Sequence, residues 1–378
     1  MSFIILICFW LALLIQLIYH WGVFSKVSFF KNKSRKKNDD ELEPVSVVVC
    51  ARDAYEYLVD LLPSLLNQDY PDYEIVVVND CSDDETEEYL KDIERRETKI
   101  KPVQLHQHLN FFNGKKFPLS MGIKSAKNDL LVFTDVNCTP ADDQWLRSVV
   151  NCYKNNTEVV IGYSPYVRKK GLLNQLMRFD ALQFALQYLS AALNKRPVLG
   201  IWKNLSYRKE LFYRHKGFTS HYTTSAGDDD LFINHAARGK NTEALIDAEH
   251  GITTMPPQGF ALWTRQKSSR YSTIPAYDGT SKAFLGLFTW SHLLFYATFI
   301  ALICLKPAFC VAGKPVLYIP ILVFFFLLRY VSQMVIYHGA SKRLGEKGLL
   351  PGLLFYDLIF AILTPILRLM GRMKVGVE

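Results

Sequence analysis

The pattern of apolar and polar positions changes abruptly twice along this chain. Residues 3–24 (FIILICFWLALLIQLIYHWGVF) contain no Asp, Glu, Lys or Arg. At ~1.5 Å rise per residue, a helix of that length crosses a hydrocarbon layer about 30 Å thick. From Pro44 to about Pro257 the runs become short. VSVVVC (45–50), EIVVVND (74–80) and LLVFTD (130–135) are β-branched stretches of the kind that form buried parallel strands. EYLVDLLPSLLNQ (56–68) has apolar residues at helical spacing, interrupted by Pro63, and KKFPLSMGIKSA (115–126) predicts a helix before the third strand. Strand–helix–strand alternation of this kind implies a right-handed, mostly parallel α/β sheet. Residues 172–193 predict a weakly amphipathic helix that packs into the core or, alternatively, lies along a membrane face.

Beyond the soluble stretch, 284–305 and 316–338 are again long and apolar, and 349–367 is a third such segment. Arg329 inside the second is costly in lipid and predicts a polar protein partner. The third contains Asp357, Pro351 and Pro365 and is followed by Arg368, Arg372 and Lys374, so both a full crossing and a re-entrant segment remain open. Lys26, Lys31, Lys33, Arg35, Lys36 and Lys37 follow the first run directly, which places that side in the cytoplasm and the N-terminus outside. Because the cluster abuts a span, no nucleic-acid partner is expected. A cleaved signal peptide would need a positive start and a small-residue cleavage site, and neither is present. The organisation expected is an anchor at 1–25, a basic linker at 26–43, a catalytic domain at 44–275 and a membrane domain at 284–378.

Net charge is +8, and the abundance of Val, Ile, Leu and Phe excludes intrinsic disorder. The seven cysteines form no CxxC pair, which argues against a zinc finger or disulfide framework and fits a reducing compartment. His106 and His108, two apart in a polar loop, do not make a metal site without further ligands.

Ligands of open α/β sheets bind at the carboxyl ends of the strands. Here those ends carry Arg52 and Asp53, then Asn79 and Asp80, then Asp135 and Asn137. Taken singly, each has a plainer reading: a strand-end Asp caps turns, paired lysines such as Lys115 and Lys116 are solvated, and Asp228-Asp229-Asp230 caps a helix. Asp83, Asp84 and Glu85 suit the first turn of a helix and receive no catalytic role.

Four segments in register change that weighting. They are 45–86, 113–140, NLSYRKELF (204–212) and GDDDLF (227–232), and together they resemble a membrane-bound bacterial family-2 glycosyltransferase. The resemblance implies a GT-A nucleotide-sugar domain, an α/β fold, flanked by transmembrane helices. It implies that Arg52, Asp80, Lys116 and Asp135 bind a UDP-sugar, with Asp80 on the uracil imide. It implies that Asp135 and Asn137 hold a divalent cation (Mg2+ or Mn2+) and that Asp229, beside Asp228, is the general base of an inverting transfer. Asn204, Tyr207, Arg208, Gln266 and Arg270 would line the acceptor side, and the acceptor would be lipid-linked or a growing glycan, met at membrane lipid. The protein would sit in the bacterial inner membrane, multi-pass, with its catalytic domain cytoplasmic, and add single sugars.

Three motifs depart from the family pattern: Ala54 for an acidic residue, Asn137 for a carboxylate, and Ser269 for an arginine. Asn137 removes one charge from the cation site, so metal affinity should fall unless another group, such as Asp142 or Asp143, compensates. These departures keep two alternatives in view: a degenerate homologue that binds a nucleotide or partner without turnover, and a GDP-sugar donor.

Overall fold

The computed structural model describes residues 2–31, 37–106, 114–219, 224, 226–305, 310–311, 314–315 and 318–375. Lys33, Arg35, Lys36, His108 and Asn113, singled out above, lie outside the described residues. The chain forms two compact units, one of residues 31–263 and one combining 1–30 with 264–378.

The first unit is built on a seven-stranded sheet. In chain order its strands are β1 (Val45–Ala51), β2 (Tyr73–Asp80), β3 (Ile100–Leu105), β4 (Leu130–Asp135), β6 (Val159–Ile161), β7 (Leu205–Arg208) and β8 (Thr242–Ala244), and β5 (Cys138–Pro140) pairs separately with β9 (Ile252–Thr254). The spatial order is β3-β2-β1-β4-β7-β6-β8. The first four strands are parallel, β7 runs against β4 and β6, and β8 lies parallel to β6. Every residue of β1 is buried, as a strand covered on both faces requires. Helices cover those faces closely. A Cβ on Gly122, in the helix Lys116–Ser125, would sit 2.7 Å from Val48 and 2.9 Å from Val78, so Gly122→Ala overpacks this contact at a cost of about 1–3 kcal/mol.

Two expectations resolve here. The helix Tyr55–Leu66 continues through Pro63, because Leu58, Leu61, Leu62 and Leu65 are all buried and their packing outweighs the missing backbone bond. The helix Leu172–Leu193 is buried almost continuously from Met177 to Ala192, on every face, so it is a core helix rather than a membrane-surface one.

Among the described residues, the second unit contains four helical segments long and apolar enough to cross a membrane: Phe3–Ser28, Gly279–Leu305, Ile319–Arg343 and Leu350–Met373. The first widens into a π-helical stretch at Ile18–Phe24. The last is a continuous helix, Leu353–Val375, through Pro365. Arg329 has the polar partners that its place in an apolar helix demands. Its Nη1 donates to Asp357 Oδ2 at 2.7 Å and to Gln333 Oε1 at 3.2 Å, and its Nη2 donates to Gln16 Oε1 at 3.0 Å. Asp357 also accepts from Gln333 Nε2 and Tyr296 Oη, both at 2.6 Å, and His292 Nε2 lies 2.9 Å from its Oδ1. Gln16 Nε2 donates in turn to Ser291 Oγ at 2.8 Å. One polar cluster thus joins all four helices.

Candidate active site

The parallel register brings three sequence-distant strand ends side by side. Cys50 pairs with Asp135 across β1 and β4, and Ala51 with Asn79 across β1 and β2. Asp80 therefore ends β2 one strand from Arg52, and Asp135 ends β4 on the other side. The turns after β1 and β2 are cross-tied: Asp53 N donates to Ser82 Oγ at 3.0 Å, and Asp83 N to Asp53 Oδ1 at 2.8 Å. Asp84 accepts from Tyr55 N and Thr86 N, a helix-terminus role like the one expected for this acidic run. Arg52 stays half-exposed at the rim, 4.0 Å from Asp53.

The two lysines at the next helix divide their work, and not as expected. Lys116 is fully buried, and its Nζ donates to the carbonyls of Thr224 and Ala226, the latter at 2.8 Å. Burial pushes this ammonium below the ordinary lysine range, opposed by Asp228, Asp230 and Asp229. It therefore braces the loop ahead of the triple aspartate instead of standing open to a diphosphate. Lys115, the member of the pair that the resemblance did not single out for the diphosphate, is the residue at the strand end: its Nζ lies 2.7 Å from Asp135 Oδ1. Burial alone would raise the Asp135 carboxyl, but Lys115, with Lys203 beyond it, holds it below the usual range. Asp135 in turn raises Lys115.

The triple aspartate also separates into distinct roles. Gly227 takes φ +92°, and a Cβ there would meet Leu231 Cδ1 at 2.3 Å, so the turn into this segment requires glycine. Asp229 caps the helix Asp230–Ala236: its Oδ1 accepts from Asp230 N at 2.8 Å and its Oδ2 from Trp202 N at 3.3 Å. Asp228 keeps partial solvent contact, and its Oδ2 accepts from the Trp202 indole Nε1 at 2.6 Å. Burial, then the neighbouring Asp229 carboxylate, pushes Asp228 up to about 6. Repulsion from the neighbouring carboxylate is present, but desolvation is the larger cause. Trp202 precedes β7, the strand beside β4, so Asp228 is delivered to the same edge as Asp135. Burial first, and then Asp135, Asp228 and Asp80, push the Cys50 thiol up, opposed by Lys115.

Other expected residues lie elsewhere. Asn204 is buried, with Oδ1 accepting from Trp145 Nε1 at 3.2 Å and Nδ2 donating to Tyr163 O at 2.9 Å. Its amide is committed to the interior rather than to an acceptor. Tyr207 is buried against Phe133 and Phe232, and Arg208 is paired with Glu43 and Asp129. Gln266 and Arg270 sit on the helix Phe260–Tyr271, beyond residue 263, and so belong to the membrane unit.

The donor set around Asp135 does not suit a hard divalent cation. Such ions take several oxygen ligands, carboxylates above all. Asp135 is already ion-paired, and Asn137 offers a neutral side-chain amide while its carbonyl accepts from Met255 N at 2.8 Å. Asp142 is held by His250 Nδ1 at 2.6 Å and Asp143 by Gln144 Nε2 at 3.1 Å, so neither compensates for Asn137. Among the described residues, no group of three or more His, Cys, Asp or Glu converges to hold a metal.

This is the strand-end arrangement of a GT-A nucleotide-sugar transferase fold. Residues 46–216 match the model of glycosyl transferase family 2, so the first unit is a family-2 glycosyltransferase domain. The fold is shared with a mannosyltransferase of Pyrobaculum calidifontis solved with GDP-Man and Mn2+, at TM-score 0.57 and 16% identity over 91% of this chain and 99% of that one. The chain is 30% identical over 115 residues to an uncharacterized glycosyltransferase of Haemophilus influenzae, covering 30% of this chain and 34% of the relative. It is 26% identical over 168 residues to the poly-beta-1,6-N-acetyl-D-glucosamine synthase of Staphylococcus epidermidis, covering 44% of this chain and 39% of the relative. The matches thus span less than two-fifths of either relative's own length.

Proposed function

We propose that this protein transfers a sugar from a UDP-sugar to a hydroxyl of a lipid-linked or polysaccharide acceptor at a membrane surface, with inversion at the anomeric carbon. The observation that carries this reading is the strand register that sets Asp80 and Asp135, with Lys115 paired to it, at the carboxyl end of the parallel sheet, and Asp228 held by Trp202 beside the neighbouring strand. The name of the staphylococcal relative, a glucosamine-polymer synthase, supports a glycan acceptor.

Asp228 is the general base. With a pKa of about 6 it is ionised at neutral pH yet more basic than an ordinary carboxylate, the poise that proton abstraction favours. The Trp202 indole fixes the orientation of its carboxylate. Asp228 takes the acceptor's hydroxyl proton, the oxygen attacks the anomeric carbon, and the bond to the diphosphate breaks with its electron pair on the departing oxygen. Asp80 accepts from the uracil imide, and Arg52, Lys115 and Lys203 face the diphosphate. Asp229 shapes the helix cap beneath the base, so the base is the first carboxylate of the triplet and not the second.

The membrane unit holds the reaction at the lipid surface. Lys26 and Lys31 beside the first apolar helix, with Lys342 and Arg343 ending the third, support a cytoplasmic catalytic unit in the bacterial inner membrane.

The test is nucleotide release by the full-length protein in lipid nanodiscs, given UDP- or GDP-sugars with polyprenyl phosphate or oligosaccharide acceptors. The wild type should release UDP and Asp228→Asn should not. Equal background from both proteins would sink the enzyme reading and leave the nucleotide-binding homologue, and release from GDP-sugars instead would remove the role given to Asp80.

A further inference from the structure

The cation expected at this site has a rival already in place. Lys115 Nζ is 2.7 Å from Asp135 Oδ1, within the range of a charge-assisted hydrogen bond. A second ammonium, Lys203, acts on the same carboxylate and lies 4.8 Å above the Tyr166 ring. The partner position that would supply a second negative oxygen is Asn137. At the Asp135–Asn137 pair itself, two carboxylates and a divalent ion would sum to zero charge, whereas two ammonium groups and one carboxylate leave one positive charge, with Asp80 and Asp228 further round the rim. A divalent ion entering here would have to displace Lys115 or sit beside it against repulsion. A diphosphate entering here meets that surplus directly.

We propose that Lys115, backed by Lys203, replaces the divalent cation in neutralising the departing diphosphate, so that donor binding and transfer by this protein do not depend on metal. This rests on the nucleotide-sugar reading above and concerns the same site. As the anomeric carbon–oxygen bond breaks, the electron pair goes to the diphosphate oxygen, and the Lys115 ammonium stabilises it by hydrogen bonding without giving up its proton. The proton released in the step is the acceptor's, held on Asp228. The products are the glycosylated acceptor and the nucleoside diphosphate.

The experiment is UDP titration of the full-length protein in nanodiscs by calorimetry, in EDTA and then in Mn2+, with electron paramagnetic resonance of the Mn2+ as a second readout. The expected result is UDP affinity unchanged within about twofold between the two conditions, with no UDP-dependent immobilisation of Mn2+. Lys115→Met should weaken UDP binding by about tenfold or more, and Lys115→Arg should retain it. The double variant Lys115→Ser with Asn137→Asp should bind UDP only when Mn2+ is present. A tenfold or greater rise in wild-type UDP affinity with Mn2+, together with an immobilised manganese signal, overturns the proposal while leaving the transferase reading standing. Absence of both UDP and GDP binding in either condition overturns that reading and this proposal with it. Binding of GDP alone transfers the same metal comparison to GDP.

Discussion

Two aspartates in this molecule sit in contrasting company, Asp357 fully buried and Asp228 in partial contact with solvent. Asp357, among the apolar helices, receives Arg329, Gln333 and Tyr296, with His292 close by. Asp228, at the strand ends, receives the Trp202 indole and has a second carboxylate as its neighbour. The first cluster balances charge and fills the carboxylate's hydrogen-bonding positions, which makes it a clamp. The second is desolvated beside a like charge, and that appears as a raised pKa. A polar group that the fold satisfies contributes to architecture, and one that it leaves wanting is available to a substrate.

The comparison is most sharply broken at Asp228. Asp228→Asn should lower turnover by about 10²–10⁴-fold, the usual reach of a general base, measured as nucleotide release. Retained activity would return the base to Asp229. Next is Asp357→Leu, which strands the Arg329 guanidinium in an apolar bundle and should cost about 3–5 kcal/mol, seen as lost yield or a large drop in melting temperature. Pairing it with Arg329→Met should recover most of that loss, whereas no recovery would mean the cluster is more than a charge clamp.

The same Asp228→Asn change should stabilise the protein at pH 8. The folded-state pKa of about 6 lies above the ordinary 3.8, so the folded protein binds this proton more tightly than the unfolded chain. The ionised carboxylate therefore costs stability above pH 6, by roughly 3 kcal/mol at most, and the cost fades as pH falls from about 6 to about 4. Below pH 6, wild-type turnover should fall about tenfold per unit as the base protonates. A stability gain alongside an activity loss would mark Asp228 as under-satisfied for function, and a variant that loses both would contradict this. The smallest effect is expected for Gln16→Leu, which removes an uncharged residue with its bonds to Arg329 and Ser291 and should cost about 1 kcal/mol, at ~0.6 kcal/mol per bond in a membrane bundle.

Much of this was legible before any coordinates. The β1, β2 and β4 segments appear as β-branched runs, and the apolar helices as stretches free of charge, because burial on all sides leaves a one-dimensional trace. That Arg329 needs a partner follows from its position alone. The partner does not, since Gln16 and Asp357 lie in other helices. Pro63 misled because packing of Leu58, Leu61, Leu62 and Leu65 overrides a local propensity. Asn204 misled because a polar residue in a matching segment serves the interior as readily as a ligand.

Local chemistry in the chain was enough to establish a parallel α/β domain between apolar helices, with acidic and basic residues gathered at its strand ends. Tertiary structure alone separated adjacent equals: Lys115 pairs with Asp135 while Lys116 turns inward, and Asp229 caps a helix while Asp228 meets the Trp202 indole. Successive residues at a helix start point about 100° apart, so one meets the strand end while its neighbour turns into the protein. Composition and spacing are blind to that rotation, and only the packed fold assigns each side chain its surroundings.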